Sequence, residues 1–127
     1  MSCVLVVEDD PWIQWMIADD LTDRDYDVKT ASDGVEALAQ LAEVRPDVIV
    51  LDLILPRSSG WDVVERYQAE AVGDVVPIVV ISAARDGAVS LAFPGVERYL
   101  PKPFDLEELA QAVAELSGRQ VATSVPG

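Results

Sequence analysis

Four apolar stretches of this chain each lead into side chains that can bind a metal ion or a phosphate group. Glu8 and Asp9 follow the first stretch, Asp52 ends the second, and Ser82 and Lys102 follow the last two. In open α/β sheets, ligands bind just outside the carboxyl ends of the parallel strands, so these side chains are expected to meet at one edge. The sequence therefore predicts one polar site that combines acids, a hydroxyl and an amine.

The chemistry predicted for this site is metal-assisted phosphoryl transfer to an aspartate. Clustered carboxylates need a cation, and hard oxygen ligands of this kind suit Mg²⁺. A carboxylate beside a divalent ion and the Lys102 ammonium is held ionised, and an aspartate can act as a nucleophile towards phosphorus. The Ser82 hydroxyl can hydrogen-bond a phosphoryl oxygen. Each residue type alone is commoner in caps, turns or solvated surfaces, and their coincidence at four strand ends favours a site.

The overall composition limits the fold and the partners. The 127 residues suit one domain, and half of them are apolar. No apolar run approaches the roughly 20 residues that cross a bilayer. A net charge of −14 argues against direct contact with nucleic acid or membrane. The absence of histidine excludes histidine triads and the usual zinc sites, and the lone Cys3 fits a reducing compartment. We expect a soluble, cytoplasmic domain over residues 1–118 and a flexible tail or linker start at 119–127.

Strand-like and helix-like patterns alternate along the chain, as is typical of a parallel sheet with helices on both faces. A further short strand is predicted at 27–31. Apolar residues recur at helical spacing in four segments: Ile13, Met16, Ile17 and Leu21; Val35, Leu38, Leu41 and Ala42; Trp61, Val64, Tyr67 and Ala71; and Leu106, Leu109, Val113 and Leu116. Asp33, with Glu36, and Asp105 are predicted to cap the second and fourth of these helices. A short, weak helix is predicted at 85–93.

Five separated motifs together resemble the receiver domain of two-component response regulators. They are Val6 to Pro11, Ala31 to Leu38, Pro46 to Asp52 with Pro56 and Gly60, Ser82-Ala83, and Tyr99 to Phe104. The match runs in order from Val4 to about Leu116. The resemblance implies an α/β fold, namely a flavodoxin-like (βα)5 three-layer sandwich with a five-stranded parallel sheet of order 2-1-3-4-5.

The resemblance also implies roles for individual residues. Asp52 would be the phosphoacceptor, and Mg²⁺ would be held by Glu8, Asp9, Asp52 and the backbone carbonyl of Ile54. Lys102 and Ser82 would contact the phosphoryl group, and Tyr99 would be the switch aromatic that turns inward when Ser82 moves. The Lys102–Pro103 bond would be cis, an option open at low cost only to X-Pro bonds. The phosphodonor would be a sensor histidine kinase or a histidine phosphotransfer protein, and the output partner is not specified.

Two tryptophans on the first predicted helix, Trp12 and Trp15, lie off its core stripe. Large exposed aromatic side chains often mark a partner surface, although partial burial against a neighbouring element is the alternative. The helix begins immediately after the acidic pair. We therefore predict that Trp12, with Ile13 and Met16 beside it, belongs to the surface that docks the phosphodonor.

Two other functions are compatible with part of the pattern. A haloacid-dehalogenase-like phosphotransferase also uses a strand-end aspartate and Mg²⁺, but it needs a second aspartate where this chain has Ile54. A flavodoxin-like FMN carrier shares the fold class, but Glu8 and Asp9 would repel the flavin phosphate. The favoured function is a signalling switch whose only chemistry is slow phosphoryl transfer to Asp52 and hydrolysis from it.

Overall fold

The structure is a computed structural model that describes residues 2–56, 58–70, 76–83 and 95–118. The strands are β1 (Cys3–Val7), β2 (Asp27–Ala31), β3 (Val48–Asp52), β4 (Ile54–Leu55), β5 (Ser58–Ser59), β6 (Ile78–Ser82) and β7 (Val96–Pro101). The helices are α1 (Pro11–Asp23), α2 (Gly34–Glu43), α3 (Gly60–Glu70) and α4 (Leu106–Leu116).

Five of the strands form one parallel sheet in the order β2-β1-β3-β6-β7. The predicted order 2-1-3-4-5 is confirmed, because β6 and β7 are the fourth and fifth strands of this sheet in chain order. The strands β4 and β5 form a small antiparallel pair between β3 and α3 that the sequence patterns do not predict. The strand order reverses at β1, so the carboxyl ends of β1 and β3 flank the crevice where such sheets bind ligands.

Helices cover both faces of the sheet and give two apolar cores. One face packs against α1 and α4, and the other packs against α2 and α3. The first core includes Val6, Val50, Ile81, Ile17 and Leu109, and the second includes Leu5, Leu51, Val80, Ala37 and Val64. Burial on both faces explains why β1, β3 and β6 are nearly continuous apolar runs. The predicted flavodoxin-like three-layer sandwich is confirmed.

Aspartate side chains cap three of the helices. The Asp10 carboxylate accepts hydrogen bonds from the amides of Trp12 at 2.9 Å and Ile13 at 3.3 Å. Asp33 accepts from the amide of Glu36, and Asp105 accepts from the amide of Glu107, each at 2.8 Å. The predicted caps of α2 and α4 are therefore confirmed, since each satisfies an amide that has no partner within its helix.

The predicted core stripe of α2 is partly wrong. Val35 is 78% exposed and Ala42 is also exposed, whereas Gly34 and Ala37 are buried. The stripe that faces the sheet is displaced by one residue at its start and keeps helical spacing from Gly34 to Leu41. The buried positions are occupied by small residues, which a pattern of large apolar side chains does not reveal.

Some sequence predictions concern residues that the structure does not describe. The helix predicted at 85–93 and the tail predicted at 119–127 both lie outside the described residues, as does Ala71 at the end of the third predicted stripe. Within the described ranges, no helix combines the length and the apolar character needed to span a membrane.

Candidate functional site

The parallel sheet brings the predicted site residues to one edge. Asp52 is the last residue of β3 and Ser82 is the last residue of β6. Glu8 directly follows β1, and Lys102 directly follows β7. Because β3, β6 and β7 pair in parallel register, with Asp52 beside Ile81, their carboxyl ends lie at the same level. The strand-end pattern therefore does bring these side chains together.

Lys102 joins two buried carboxylates. Its Nζ donates to Glu8 Oε1 at 2.6 Å and to Asp52 Oδ2 at 3.0 Å. The other oxygen of each carboxylate accepts from a backbone amide: Glu8 Oε2 from Asp10 at 3.1 Å, and Asp52 Oδ1 from Ile54 at 3.0 Å. The exposed fraction is 0% for Glu8 and 3% for Asp52. Charge-assisted hydrogen bonds thus hold both side chains in place.

The acidic side chains can hold a metal ion. One carboxylate oxygen from each of Glu8, Asp9 and Asp52 can be chosen so that all three lie within 4.8 Å of one another. Asp9 is exposed at the mouth of the site. Carboxylate oxygens that are partly open to solvent suit Mg²⁺, which keeps several of its waters when it binds proteins. The residues present therefore fit the predicted ion.

Burial and the neighbouring charges shift the protonation of this cluster. Burial raises the pKa of Glu8 from 4.5 to about 7, although hydrogen bonds from Lys102 and Asp10 oppose the shift. Burial also lowers the pKa of Lys102, but hydrogen bonds to Glu8 and Asp52 outweigh this, and the net pKa is raised. Lys102 therefore stays charged at neutral pH, whereas Glu8 of the metal-free domain titrates near it.

We expect the metal-free domain to lose stability as the pH rises from about 4.5 to about 7. The pKa of Glu8 is higher in the folded chain than in the unfolded chain, so protonation of Glu8 stabilises the fold at low pH. This contribution disappears as the pH rises past the pKa of Glu8 in the folded chain. Urea unfolding across this range in the presence of a chelator measures it. The chain has no histidine, the residue that ordinarily titrates here. A Glu8→Gln variant with the same pH slope would contradict the assignment.

The predicted switch residues lie on β6 and β7. Ser82 is fully buried, and its carbonyl accepts from the Lys102 amide at 2.9 Å. Tyr99 pairs with Val80 in the register of β6 and β7, and its half-buried ring packs against the core that lies under α2 and α3. The Lys102–Pro103 peptide bond is cis. Ser82 thus lies at the end of β6, the strand between β3, which carries Asp52, and β7, which carries Tyr99.

Gly60 lets the chain pass close to the end of β3. Its amide donates to the Leu53 carbonyl at 2.8 Å. A Cβ atom at this position would lie 2.7 Å from both the Asp52 carbonyl oxygen and the Leu53 Cα, a distance that backbone atoms do not tolerate. Glycine is therefore required here because the start of α3 packs directly on the residue that ends β3.

The two tryptophans of α1 form an exposed aromatic patch. The exposed fraction is 64% for Trp12 and 56% for Trp15. Their rings stack with centroids 5.4 Å apart and planes inclined by 23°. Ile13 and Met16 beside them are half-buried. The predicted exposure of Trp12 and Trp15 is confirmed. The patch lies in the first two turns of α1, which begins shortly after Glu8 and Asp9.

Two features of the site were missed in the sequence. Lys102 contacts Glu8 as well as Asp52. The contact with Glu8 depends on how far the Lys102 and Glu8 side chains extend, which the spacing of residues in the sequence does not reveal. Gln14 donates to the Glu8 carbonyl, yet a glutamine on a helix carries no pattern that separates it from an ordinary polar surface residue.

The sequence matches a known protein family. The sequence model described as the response regulator receiver domain matches residues 4–114. Response regulator MprA from Mycobacterium avium (strain 104) is 41% identical over 119 residues, which cover 91% of this chain and 51% of MprA. The chain thus spans about half the length of the curated relatives it matches.

Solved structures of similar chains share the fold. Response regulator TrrA from Thermotoga maritima, in complex with Mg(2+)-BeF, superposes with a TM-score of 0.80 at 28% identity, covering 91% of this chain and 99% of that one. The receiver domain of sensor histidine kinase PA1611 from Pseudomonas aeruginosa PAO1, with a magnesium ion coordinated in the active site cleft, superposes with a TM-score of 0.81 at 29% identity. This superposition covers 92% of the present chain and 98% of the PA1611 receiver domain.

Proposed function

The chain belongs to the response regulator receiver domain family, and we propose that Asp52 accepts the phosphoryl group that activates this signalling switch. The observation that carries the proposal is the setting of Asp52. It ends β3, is buried, and bonds through Oδ2 to Lys102 beside Glu8 and Asp9. The direct test is the intact mass after incubation with a small acyl phosphate and Mg²⁺, and one added phosphoryl group is expected.

The transfer follows from the chemistry of these groups. A carboxylate oxygen of Asp52 attacks phosphorus, a P–O bond to Asp52 forms, and the bond from phosphorus to the imidazole nitrogen of the donor breaks. The Lys102 ammonium lies 3.0 Å from Asp52 Oδ2, so it stands beside the phosphoryl oxygens as they gain charge. Hydrolysis of the resulting acyl phosphate returns the domain to its resting state, and we propose that both reactions are slow.

We propose that Glu8, Asp9, Asp52 and the Ile54 carbonyl hold Mg²⁺ during transfer. When bound, the ion supplies positive charge that neutralises the donor and the transferring group. The Ile54 amide already donates to Asp52 Oδ1, which fixes this turn next to the carboxylate cluster. The magnesium described for the receiver domain of PA1611 and for TrrA supports the same ion here.

The comparisons do not support the two other functions. A dehalogenase-like phosphotransferase needs a second acid two residues after the nucleophile, and Ile54 there has an exposed apolar side chain. An FMN carrier needs a phosphate-binding loop after β1, where Glu8 and Asp9 place negative charge instead. The chain is a signalling domain rather than an enzyme of either class.

We propose that phosphorylation acts through Ser82 and Tyr99. A phosphoryl group on Asp52 offers the Ser82 hydroxyl a new acceptor, and movement of Ser82 gives the Tyr99 ring room to turn inward. Ser82 is buried, and Tyr99 is half-buried on the adjacent strand. One local contact can therefore bias a two-state side-chain arrangement without a large change of the backbone.

Ser82→Ala is expected to take up phosphate at Asp52 but to lose the response at Tyr99. The substitution removes only the hydroxyl, so the buried packing is nearly unchanged. NMR chemical-shift changes around Tyr99 on phosphorylation measure the response, and Ser117→Ala, whose hydroxyl bonds locally at the end of α4, is the control. Equal shift changes in Ser82→Ala and the wild type would show that this coupling is absent.

We propose that a sensor histidine kinase or a histidine phosphotransfer protein docks on α1. The surface comprises Trp12 with Ile13 and Met16, and it begins where the chain leaves Glu8 and Asp9. The stacked, exposed rings offer apolar area next to the acidic cluster, and buried aromatic anchors carry much of the energy of interfaces. The lone Cys3 supports a reducing, cytoplasmic setting.

Trp12→Ala is expected to slow transfer from the cognate donor protein while leaving transfer from a small acyl phosphate unchanged. Truncation of a central aromatic anchor costs an interface about 2 kcal/mol, or roughly 30-fold in affinity. Stopped-flow or gel assays with both donors separate the two effects. Val35→Ala, an exposed apolar residue on α2, is the matched control. A similar loss with both donors would mean that Trp12 is structural.

A further inference from the structure

The carboxamide of Gln14 ties together the ends of two strands at the site. Its Nε2 donates to the carbonyl of Glu8 at 2.9 Å and to the carbonyl of Ala31 at 3.2 Å. The Ser32 hydroxyl lies 3.3 Å from the same nitrogen. Glu8 follows β1 and Ala31 ends β2, so one side chain from α1 bridges adjacent parallel strands where both end.

The main chain of Glu8 is held on both sides by this arrangement. Its amide donates to the Ala31 carbonyl at 3.0 Å, and its carbonyl accepts from Gln14. Gln14 itself is fixed one turn into α1, where its amide donates to the Asp10 carbonyl at 2.9 Å. The helix therefore controls the backbone position from which the Glu8 carboxylate extends towards Lys102 and the metal-ligand cluster.

We propose that Gln14 is a positioning residue for metal-dependent phosphoryl transfer, because it fixes the backbone of Glu8 at the carboxyl end of β1. This inference rests on the proposed function of the site. Carbonyl groups at a strand end need hydrogen-bond donors, and an amide with two hydrogens can supply two neighbouring carbonyls at once. Outer partners of metal ligands typically influence affinity by tenfold or more even though they do not touch the ion.

A second glutamine offers a matched control. Gln40 on α2 donates through Nε2 to the Thr30 carbonyl at 3.2 Å, one residue before Ala31 on the same strand. It makes the same kind of bond from a helix to β2 but contacts neither Glu8 nor the strand end. Methionine in place of either glutamine keeps an unbranched side chain of similar size and removes both donor hydrogens without adding charge.

The experiment compares Gln14→Met and Gln40→Met with the wild type in three measurements. Calorimetric titration gives Mg²⁺ affinity, phosphorylation by an acyl phosphate at varied Mg²⁺ gives the half-saturating concentration and the maximal rate, and urea unfolding gives stability. We expect Gln14→Met to weaken Mg²⁺ binding about tenfold. The half-saturating concentration should rise equally, while the maximal rate at saturating Mg²⁺ changes less than about twofold. We expect Gln40→Met to match the wild type in both Mg²⁺ readouts.

Equal Mg²⁺ affinities for Gln14→Met and Gln40→Met would overturn the inference while leaving the proposed function intact. A wild type that binds no Mg²⁺ or takes up no phosphate would overturn both. If Gln14→Met does not fold, NMR of the wild type decides the question. Mg²⁺ should alter the shift or solvent exchange of the Gln14 carboxamide protons more than those of Gln40, and an equal response of the two would overturn the inference.

Discussion

Asparagine at position 52 is expected to abolish phosphorylation completely. The Asp52→Asn side chain keeps the size of aspartate but replaces the nucleophilic carboxylate with a neutral amide, which cannot form an acyl phosphate by attack on phosphorus. The buried Asp52 carboxylate is the one that ends β3 and bonds to Lys102. Intact mass spectrometry after treatment with acetyl phosphate and Mg²⁺ should show one added phosphoryl group in the wild type and none in the variant.

Asp47→Asn is the matched control, because Asp47 precedes the other end of β3 and its carboxylate accepts from the Cys3 amide at the start of β1, away from the site. It should be phosphorylated as fast as the wild type. Circular dichroism must show that Asp52→Asn is folded, and this is expected because its loss of charge relieves repulsion within an acidic cluster. Stable labelling of Asp52→Asn would move the phosphoacceptor to another residue and would remove the central role assigned to β3.

The positions of the strands could be predicted because their sequences carry strong signals, whereas the order of the sheet was implied by the resemblance to receiver domains. Val48 to Leu51 and Ile78 to Ile81 are continuous apolar runs, a pattern that indicates strands buried on both faces. The polar residues that end these runs then lie at one edge, since parallel strands share a direction. This topological rule alone predicts that Asp52, Ser82 and Lys102 lie at the same edge of the sheet.

Other details depend on packing that the sequence does not encode in a simple pattern. The face of α2 was misjudged because its buried residues, Gly34 and Ala37, are small and carry little of the apolar signal that marks a core stripe. The role of Gln14 depends on the distance from its carboxamide to two carbonyls, which only the fold sets. The Gly60 requirement likewise follows from a 2.7 Å approach to the backbone of Asp52 rather than from a local turn.

The charges of the site indicate that phosphoryl transfer depends strongly on a bound metal ion. Three carboxylates lie close together, and the described ion pairs supply one ammonium, that of Lys102, to two of them. Burial raises the pKa of Glu8 to about 7, and the neighbouring charge of Asp52 also acts to raise it. An anionic phosphodonor adds further negative charge. A divalent ion is therefore expected to be required for transfer and not merely to improve it.

Chelation of Mg²⁺, or Asp9→Asn, is accordingly expected to slow phosphorylation by about 100-fold or more, since metal ions contribute several kcal/mol of charge stabilisation to such reactions. Asp9 is exposed, so its substitution should leave the fold intact and its free energy of unfolding equal or slightly higher. Asp10→Asn is a close control, because it removes the same charge from the next residue while asparagine still caps α1. Calorimetric titration should show Mg²⁺ binding to Asp10→Asn and not to Asp9→Asn. Wild-type rates in excess chelator would exclude the metal from the mechanism and leave Lys102 as the principal cation of the site.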